Sequence, residues 1–210
     1  MNAFAVTGIH TDAGKTIASA VITEALGCTY WKPVQSGSND RTDTMTVQSL
    51  VSNPSCRFLP EAYLLREPLS PHAAARIDNV QIDVDKLKPV ETDSPLLIET
   101  AGGLMSPVND ECTVIDYVQR FQLPAVLVSA AYLGSISHTL LCMELLRQRG
   151  VDVKALIFCG ERNPESEEFI LRYTQFDKVL HIRKFGLLDK ASVAHEAQLI
   201  REKLKLILGV

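Results

Sequence analysis

The residues best placed to do chemistry come first in the chain: Gly8-Ile9-His10-Thr11-Asp12-Ala13-Gly14-Lys15-Thr16. An apolar run at residues 3–7 leads into this turn, and a helix-period segment at 15–26 follows it, with Ile17, Val21, Ile22 and Leu26 on one face. Strand, glycine-containing loop, Gly-Lys-Thr and helix is the context a phosphate-binding loop requires. Amides at the helix start point at a polyphosphate, and the helix dipole favours its charge. Gly14 lets the backbone approach closely, Lys15 reaches the β- and γ-phosphates, and the Thr16 hydroxyl can ligate Mg²⁺. The spacing departs from the standard form, with Ile9 where glycine is usual and Gly8 one residue early. The expected nucleotide-binding set is Asp12, Ala13, Gly14, Lys15, Thr16 and Ile17, joined by Asp43, Glu99 and Gly102.

Phosphoryl transfer also needs carboxylates for a metal and positive charge over the transferred group. Glu99 ends the apolar stretch 96–98 and is followed by Thr100-Ala101-Gly102-Gly103, so it falls on the loop's edge of a parallel sheet, within reach of Mg²⁺. Asp43 closes the polar run Asn39-Asp40-Arg41-Thr42-Asp43 before a helix, where an acid is ordinarily an N-cap. Lys32, inside Tyr30-Trp31-Lys32-Pro33-Val34, reads by itself as a lysine snorkelling from a strand edge.

The elements that must hold these groups follow from apolar runs alternating with helix-period segments. Strands are expected at 3–7, 29–34, 95–99, 124–129, 153–159 and 178–182; helices at 15–26, 113–121, 135–149, 165–176 and 193–208. Gly150 suits the carboxyl end of one helix. Residues 52–94, rich in Pro and Asp, predict long loops around one short helix. Alternation of this kind specifies a mainly parallel sheet flanked by helices on both faces, here one α/β domain over residues 1–210. Ligands in such sheets lie at the carboxyl ends of strands.

Composition narrows the function classes. The 210 residues are 46% hydrophobic and 22% charged, ordinary globular usage that excludes disorder, collagen and coiled coil. Lys and Arg number 21 against 25 Asp and Glu, and the net charge of −4 supplies no bulk attraction for nucleic acid or an anionic membrane. Five scattered cysteines, Cys28, Cys56, Cys112, Cys142 and Cys159, form no C-x-x-C pair, so reduced, inert thiols are expected. Residues 1–7 are too short and uncharged for a signal peptide, and no apolar run reaches the roughly 20 residues a bilayer demands. A cytoplasmic protein is expected.

Further blocks follow the loop in order: Lys32-Pro33-Val34-x-Ser36-Gly37, Glu67-Pro68-x-Ser70-Pro71-His72, Glu99-x-Ala101-Gly102-Gly103, and Leu133-Gly134-Ser135-Ile136-Ser137-His138. With Gly8-x5-Gly14-Lys15-Thr16 they resemble the dethiobiotin synthetase family over residues 1–145, the block at 32–37 being the most specific. The resemblance implies a P-loop NTPase fold and a ligase that uses ATP to close the ureido ring of dethiobiotin from 7,8-diaminopelargonate and CO₂. It implies that Thr11, Lys15 and Lys32 are catalytic: Thr11 and Lys15 contact phosphate and carbamate, and Lys32 neutralises charge on the transferring group. It further implies Mg²⁺ as cofactor, held by Thr16, Asp43 and Glu99, Ser36 at the substrate's reacting end, and the amides of Ser135, Ile136 and Ser137 at the substrate's tail carboxylate across a homodimer.

Three segments depart from the family. His10 reads as a surface loop residue where the family usually has Thr-Asp for Ile9-His10, and the base-reading segments are replaced by Cys159-Gly160-Glu161 and Ile182-Arg183-Lys184-Phe185-Gly186. From the latter, ATP is expected to hold no strong preference over other nucleoside triphosphates. His72, His138, His181 and His195 show no metal spacing, and Trp31 reads as core. The rival readings are a P-loop switch ATPase with a protein partner, a related ATP-dependent amidoligase, and a family member that no longer catalyses. The first is disfavoured because partition-type ATPases carry a signature lysine where this chain has His10.

Overall fold

The computed structural model describes residues 3–37 and 41–209; Asn39 and Asp40 of the polar run, and Met1 and Asn2, lie outside them. In chain order the elements are β1 (Ala3–Gly8), α1 (Lys15–Leu26), β2 (Thr29–Trp31), β3 (Val34–Ser36), α2 (Asp43–Leu50), β4 (Arg57–Leu59), β5 (Tyr63–Leu65) and α3 (Pro71–Ile77). They continue with β6 (Leu96–Gly103), α4 (Val114–Arg120), β7 (Ala125–Ala130), α5 (Ser135–Gln148), β8 (Val153–Gly160), α6 (Pro164–Thr174), β9 (Val179–Arg183) and α7 (Lys190–Leu208).

Seven strands form one parallel sheet in the order β4-β2-β6-β1-β7-β8-β9. Side chains alternate across each strand, so successive residues feed opposite faces. Ala3, Ala5, Ile98, Leu127 and Leu156 pack with residues of α4 and α5 on one face. Phe4, Val6, Leu97, Val126 and Ile157 pack with residues of α1, α2 and α7 on the other. Both faces are covered, which explains the unbroken apolar runs. β1 lies between β6 and β7, so the crevice beyond its carboxyl end receives residues from both directions of winding.

Three expectations need correction. The strand expected over 29–34 breaks at Lys32-Pro33, because proline has no N–H for a ladder. β2 stays in the main sheet, while β3 pairs with β5 in a separate two-stranded parallel sheet. Residues 52–94 hold more than loops around one helix: besides α3 they contain β4, β5 and a 3₁₀ turn at Val84–Leu87. β6 also runs beyond Glu99 to Gly103, which places Glu99 inside the strand.

Candidate active site

The loop after β1 closes on Gly14, which takes φ +89°, a left-handed conformation that favours glycine. A Cβ there would also stand 2.7 Å from Cys159 Sγ, so the end of β8 excludes any side chain. The Lys15 side chain folds back into the loop, and Nζ donates to the carbonyls of His10 (3.0 Å) and Thr11 (2.8 Å). Lys15 is buried, and burial together with the Lys32 charge lowers its pKa to about 8. Glu99, Asp43 and Asp12 only partly offset these effects, so the ammonium is one that a polyphosphate would suit.

Beside it lies a second, tighter cluster. Thr16 Oγ1 is 2.9 Å from Asp43 Oδ1 and 3.0 Å from Glu99 Oε1. Lys32 Nζ is 2.7 Å from Asp43 Oδ2 and 3.0 Å from Glu99 Oε1. Tyr30 donates its hydroxyl to Glu99 Oε2 at 3.0 Å, and Gln35 Oε1 accepts the Asp43 N–H at 2.9 Å. Glu99 is wholly buried, and Lys32, Tyr30 and Thr16 meet its oxygens, as a buried polar group requires. Burial opposes the Lys32 charge, but Glu99 and Asp43 outweigh it and hold the ammonium above its ordinary pKa. Burial likewise pushes Asp43 up, and Lys32 with Thr16 and Lys15 brings it below the usual carboxylate range. Burial and Glu99 push the Tyr30 phenol well up, so it stays a donor.

The single-residue readings of this cluster change in context. Lys32 is buried rather than snorkelling. Thr42, not Asp43, caps α2, its side chain accepting the Met45 N–H at 3.1 Å, which leaves Asp43 one residue into the helix and free to face Lys32. Thr16, Asp43 and Glu99 present only oxygen, the donor chemistry that suits Mg²⁺. Among the described residues no three His, Cys, Asp or Glu side chains group as a metal cage.

A cleft of about 500 Å³ gathers Thr11, Asp12, Lys15, Thr16, Lys32, Ser36, Asp43, Glu99 and Gly102. A larger cavity, about 900 Å³ around residues 81–86, 109–112 and 116–120, holds none of the motif residues, so chemistry rather than size marks the site. Ser36 Oγ is buried at the cleft without a hydrogen-bond partner among the described residues. Gly102 takes φ +67°, and a Cβ there would meet Ser106 Oγ at 2.2 Å. Ala13, Gly14 and Ile17 do not line the cleft, and Ala13 is buried in the core.

Ser135, Ile136 and Ser137 lie apart from this cleft, at the start of α5, where Gly134 takes φ +103°. The Ser135 N–H donates to the Tyr132 carbonyl at 3.0 Å, and the amides of Ile136 and Ser137 carry no hydrogen bond among the described residues. Sequence reasoning missed Tyr30, Gln35 and Ser106. Tyr30 carried a signal, since it precedes Lys32 by two residues in an extended segment and so shares its side. Gln35 and Ser106 carried none.

On the far side of Gly14, the loops after β8 and β9 sit together, with Lys184 Nζ 3.1 Å from Glu161 Oε1 and both side chains exposed. Trp31 is core, its Nε1 donating to the Pro60 carbonyl at 3.0 Å. His181 pairs with Glu167 at 2.9 Å and His72 Nδ1 with Ser70 Oγ at 3.0 Å. All five cysteines are free, and burial raises Cys56, Cys142 and Cys159 to about 11, as inert thiols require.

Solved structures share the fold. A plasmid partition protein of Borrelia burgdorferi bound to AMPPNP superposes with TM-score 0.57 at 8% identity, covering 98% of this chain and 97% of its own. A ParA family ATPase of Chlorobium tepidum gives 0.56 at 11% identity, covering 98% and 92%. The AAA domain family matches residues 2–192. Among curated relatives, the ATP-dependent dethiobiotin synthetase BioD of Christiangramia forsetii is 41% identical over 95% of this chain and 96% of its own length. Those of Cytophaga hutchinsonii (43%, covering 87% and 88%) and Nitrobacter hamburgensis (44%, covering 95% and 89%) agree. With identity at that level over nearly the whole chain, and the loop, both lysines and both carboxylates converging at one sheet edge, the chain belongs to the ATP-dependent dethiobiotin synthetase family.

Proposed function

We propose that the protein, acting as one domain, is an ATP-dependent ligase that closes a cyclic urea on 7,8-diaminopelargonate, giving dethiobiotin in biotin biosynthesis. One amine adds to CO₂ and loses a proton, forming a carbamate. A carbamate oxygen attacks the γ-phosphorus of ATP, and ADP leaves with the bridging oxygen's electron pair. The second amine then attacks the carbamoyl carbon, the C–O bond to phosphate breaks, and phosphate departs with the loss of a proton from nitrogen. The observation that carries this reading is the pair of buried lysines, Lys15 and Lys32, in one cleft with Thr16, Asp43 and Glu99.

Lys15, already held short of full charge compensation, binds the phosphates and the carbamate with Thr11. Lys32, kept protonated by Glu99 and Asp43, stabilises charge growing on the transferring group. The unpartnered Ser36 hydroxyl accepts or donates at the amine end. Mg²⁺, which Thr16, Asp43 and Glu99 would hold, supplies further neutralisation of the phosphate oxygens. The Ile136 and Ser137 amides suit the tail carboxylate of a substrate bound by a second copy, and exposed Leu133, Leu141 and Met105 nearby favour such a homodimer. Among the described residues no helix is long and apolar enough to cross a membrane. We place the protein in the cytoplasm, with small molecules rather than nucleic acid or lipid as partners.

The Glu161–Lys184 pair offers charges rather than an amide to a base, which supports a relaxed nucleotide preference; comparable kcat/KM for ATP, CTP and GTP is expected, and a large advantage for ATP would refute it. The decisive experiment is phosphate release from MgATP and bicarbonate with and without 7,8-diaminopelargonate, with the product identified by mass. Release that requires the diamine and yields the cyclic urea is expected. Release indifferent to the diamine would overturn the proposal in favour of a switch ATPase or an amidoligase.

A further inference from the structure

His10 takes no part in the steps above, yet it makes contacts in two directions. Its Nδ1 accepts the backbone N–H of Asp12 at 3.1 Å, inside the phosphate loop. An imidazole accepting at Nδ1 is neutral and carries its proton on Nε2. Burial, with the Lys15 charge, lowers the His10 pKa and so favours this neutral form, against a smaller opposing effect of Asp12. Nε2 itself is buried with no hydrogen-bond partner among the described residues. The ring is not merely a surface feature of the loop, as its sequence position suggested.

Its second contact is aromatic. The His10 ring meets Tyr132 in a T-shaped arrangement, with centroids 4.6 Å apart and planes at 82°. The Tyr132 hydroxyl hydrogen-bonds His138 Nδ1 in the first turn of α5, and the Tyr132 carbonyl accepts the Ser135 N–H. His10, Thr11 and His138 also border one hollow of about 510 Å³. A single side chain therefore touches the loop that receives phosphates and the segment that presents the Ile136 and Ser137 amides.

We propose that His10 is a positioning residue that couples the phosphate loop to the amino-terminal turn of α5, so that nucleotide binding and substrate-tail binding each affect the other. The inference rests on the ligase reading. Rigid packing makes the link: the loop cannot shift at Asp12 without moving the imidazole, and the imidazole cannot move without disturbing Tyr132. Coupling between two binding sites is reciprocal, so it is measurable from either ligand.

Two substitutions separate the two contacts. In His10→Asn the amide oxygen can accept the i+2 N–H, as in an Asx turn, but no ring remains for Tyr132. In His10→Phe the ring remains and the acceptor is gone. The measurement is the affinity of a non-hydrolysable ATP analogue for the full chain with Mg²⁺, by calorimetry, with and without saturating 7,8-diaminopelargonate. Steady-state KM for ATP and for the diamine accompanies it. The wild type is expected to bind the analogue with an affinity that changes by about fivefold or more when the diamine is present. His10→Asn should keep the affinity measured without diamine, lose the diamine effect, and raise KM for the diamine. His10→Phe should weaken the analogue alone. Tyr132→Phe, which removes only the hydroxyl contact to His138, should reduce the diamine effect and guards against a His10 variant that fails to fold. A diamine effect that survives intact in His10→Asn or in Tyr132→Phe, or no such effect in a wild type that does turn the diamine over, overturns the coupling alone. A wild type with no diamine-dependent turnover overturns the ligase reading and the coupling with it.

Discussion

Two charged clusters sit along the same carboxyl edge of the sheet and differ in the solvent they see. Lys32 meets Asp43 and Glu99 with side chains 5%, 30% and 0% exposed. Lys184 meets Glu161 with side chains 67% and 72% exposed. Distances are similar, but the first pair acts in a medium that screens little, and the second is bathed in water and salt. A buried cluster broken by loss of one partner leaves an uncompensated charge, whereas an exposed pair contributes little either way. The buried cluster that lines the cleft is therefore tightly specified, and the exposed pair at the β8 and β9 loops is loosely so.

The largest effect that this contrast predicts is at Lys15. Lys15→Ala removes charge felt mainly in the transition state, and kcat should fall at least about a hundredfold; turnover near the wild-type value would remove Lys15 from its role. Lys32→Ala should come next, lowering kcat by about a hundredfold while changing KM for the nucleotide much less. A KM that rises as steeply as kcat falls would make Lys32 a binding residue instead.

The pH dependence sharpens the comparison inside the buried half. Lys15 has its pKa lowered from 10.5 to about 8, so raising the pH through 8 discharges it in the free protein while Lys32, shifted upward, stays charged. The expected result is an alkaline fall in kcat/KM for the nucleotide beginning near pH 8; a flat profile to pH 10 would break it. The sign for folding is opposite. Between about 8 and 10.5 the unfolded chain binds more protons at this lysine than the folded one, so its contribution to stability improves as pH rises across that window. The smallest effect is expected at the exposed pair. Glu161→Gln should leave kcat and the thermal midpoint near wild type, and shift the ratio of kcat/KM values for ATP, CTP and GTP by less than about tenfold, since exposed pairs interact weakly. A large loss of turnover would show that this edge is as tightly coupled as the Lys32 cluster.

Much of this was legible in the chain, and the failures have physical causes. The phosphate loop could be read because its parts lie within nine residues, and the long helices because their apolar period repeats over several turns. β4 and β5 were invisible because three residues hold too little period-two pattern to separate from loop. The continuous strand expected over 29–34 ignored what Pro33 does to a ladder. Lys32, Asp43 and Glu99 were each ambiguous alone, because the environment that decides between a surface lysine, a cap and a ligand comes from elsewhere in the chain. Only the resemblance to the family singled them out together beforehand.

Residue order by itself determined the alternating α/β architecture, the loop with Gly14, Lys15 and Thr16, and the family, since local backbone preferences and hydrophobic period act over short stretches. The tertiary structure alone decided that Gln35 joins the site, that Thr42 takes the cap and leaves Asp43 for Lys32, and that His10 leans on Tyr132. Thr16 and Glu99 are 83 residues apart in sequence and 3.0 Å apart in space. That proximity follows from parallel pairing of β1 with β6, whose register is set by burial on both faces of the sheet and by no property of either residue.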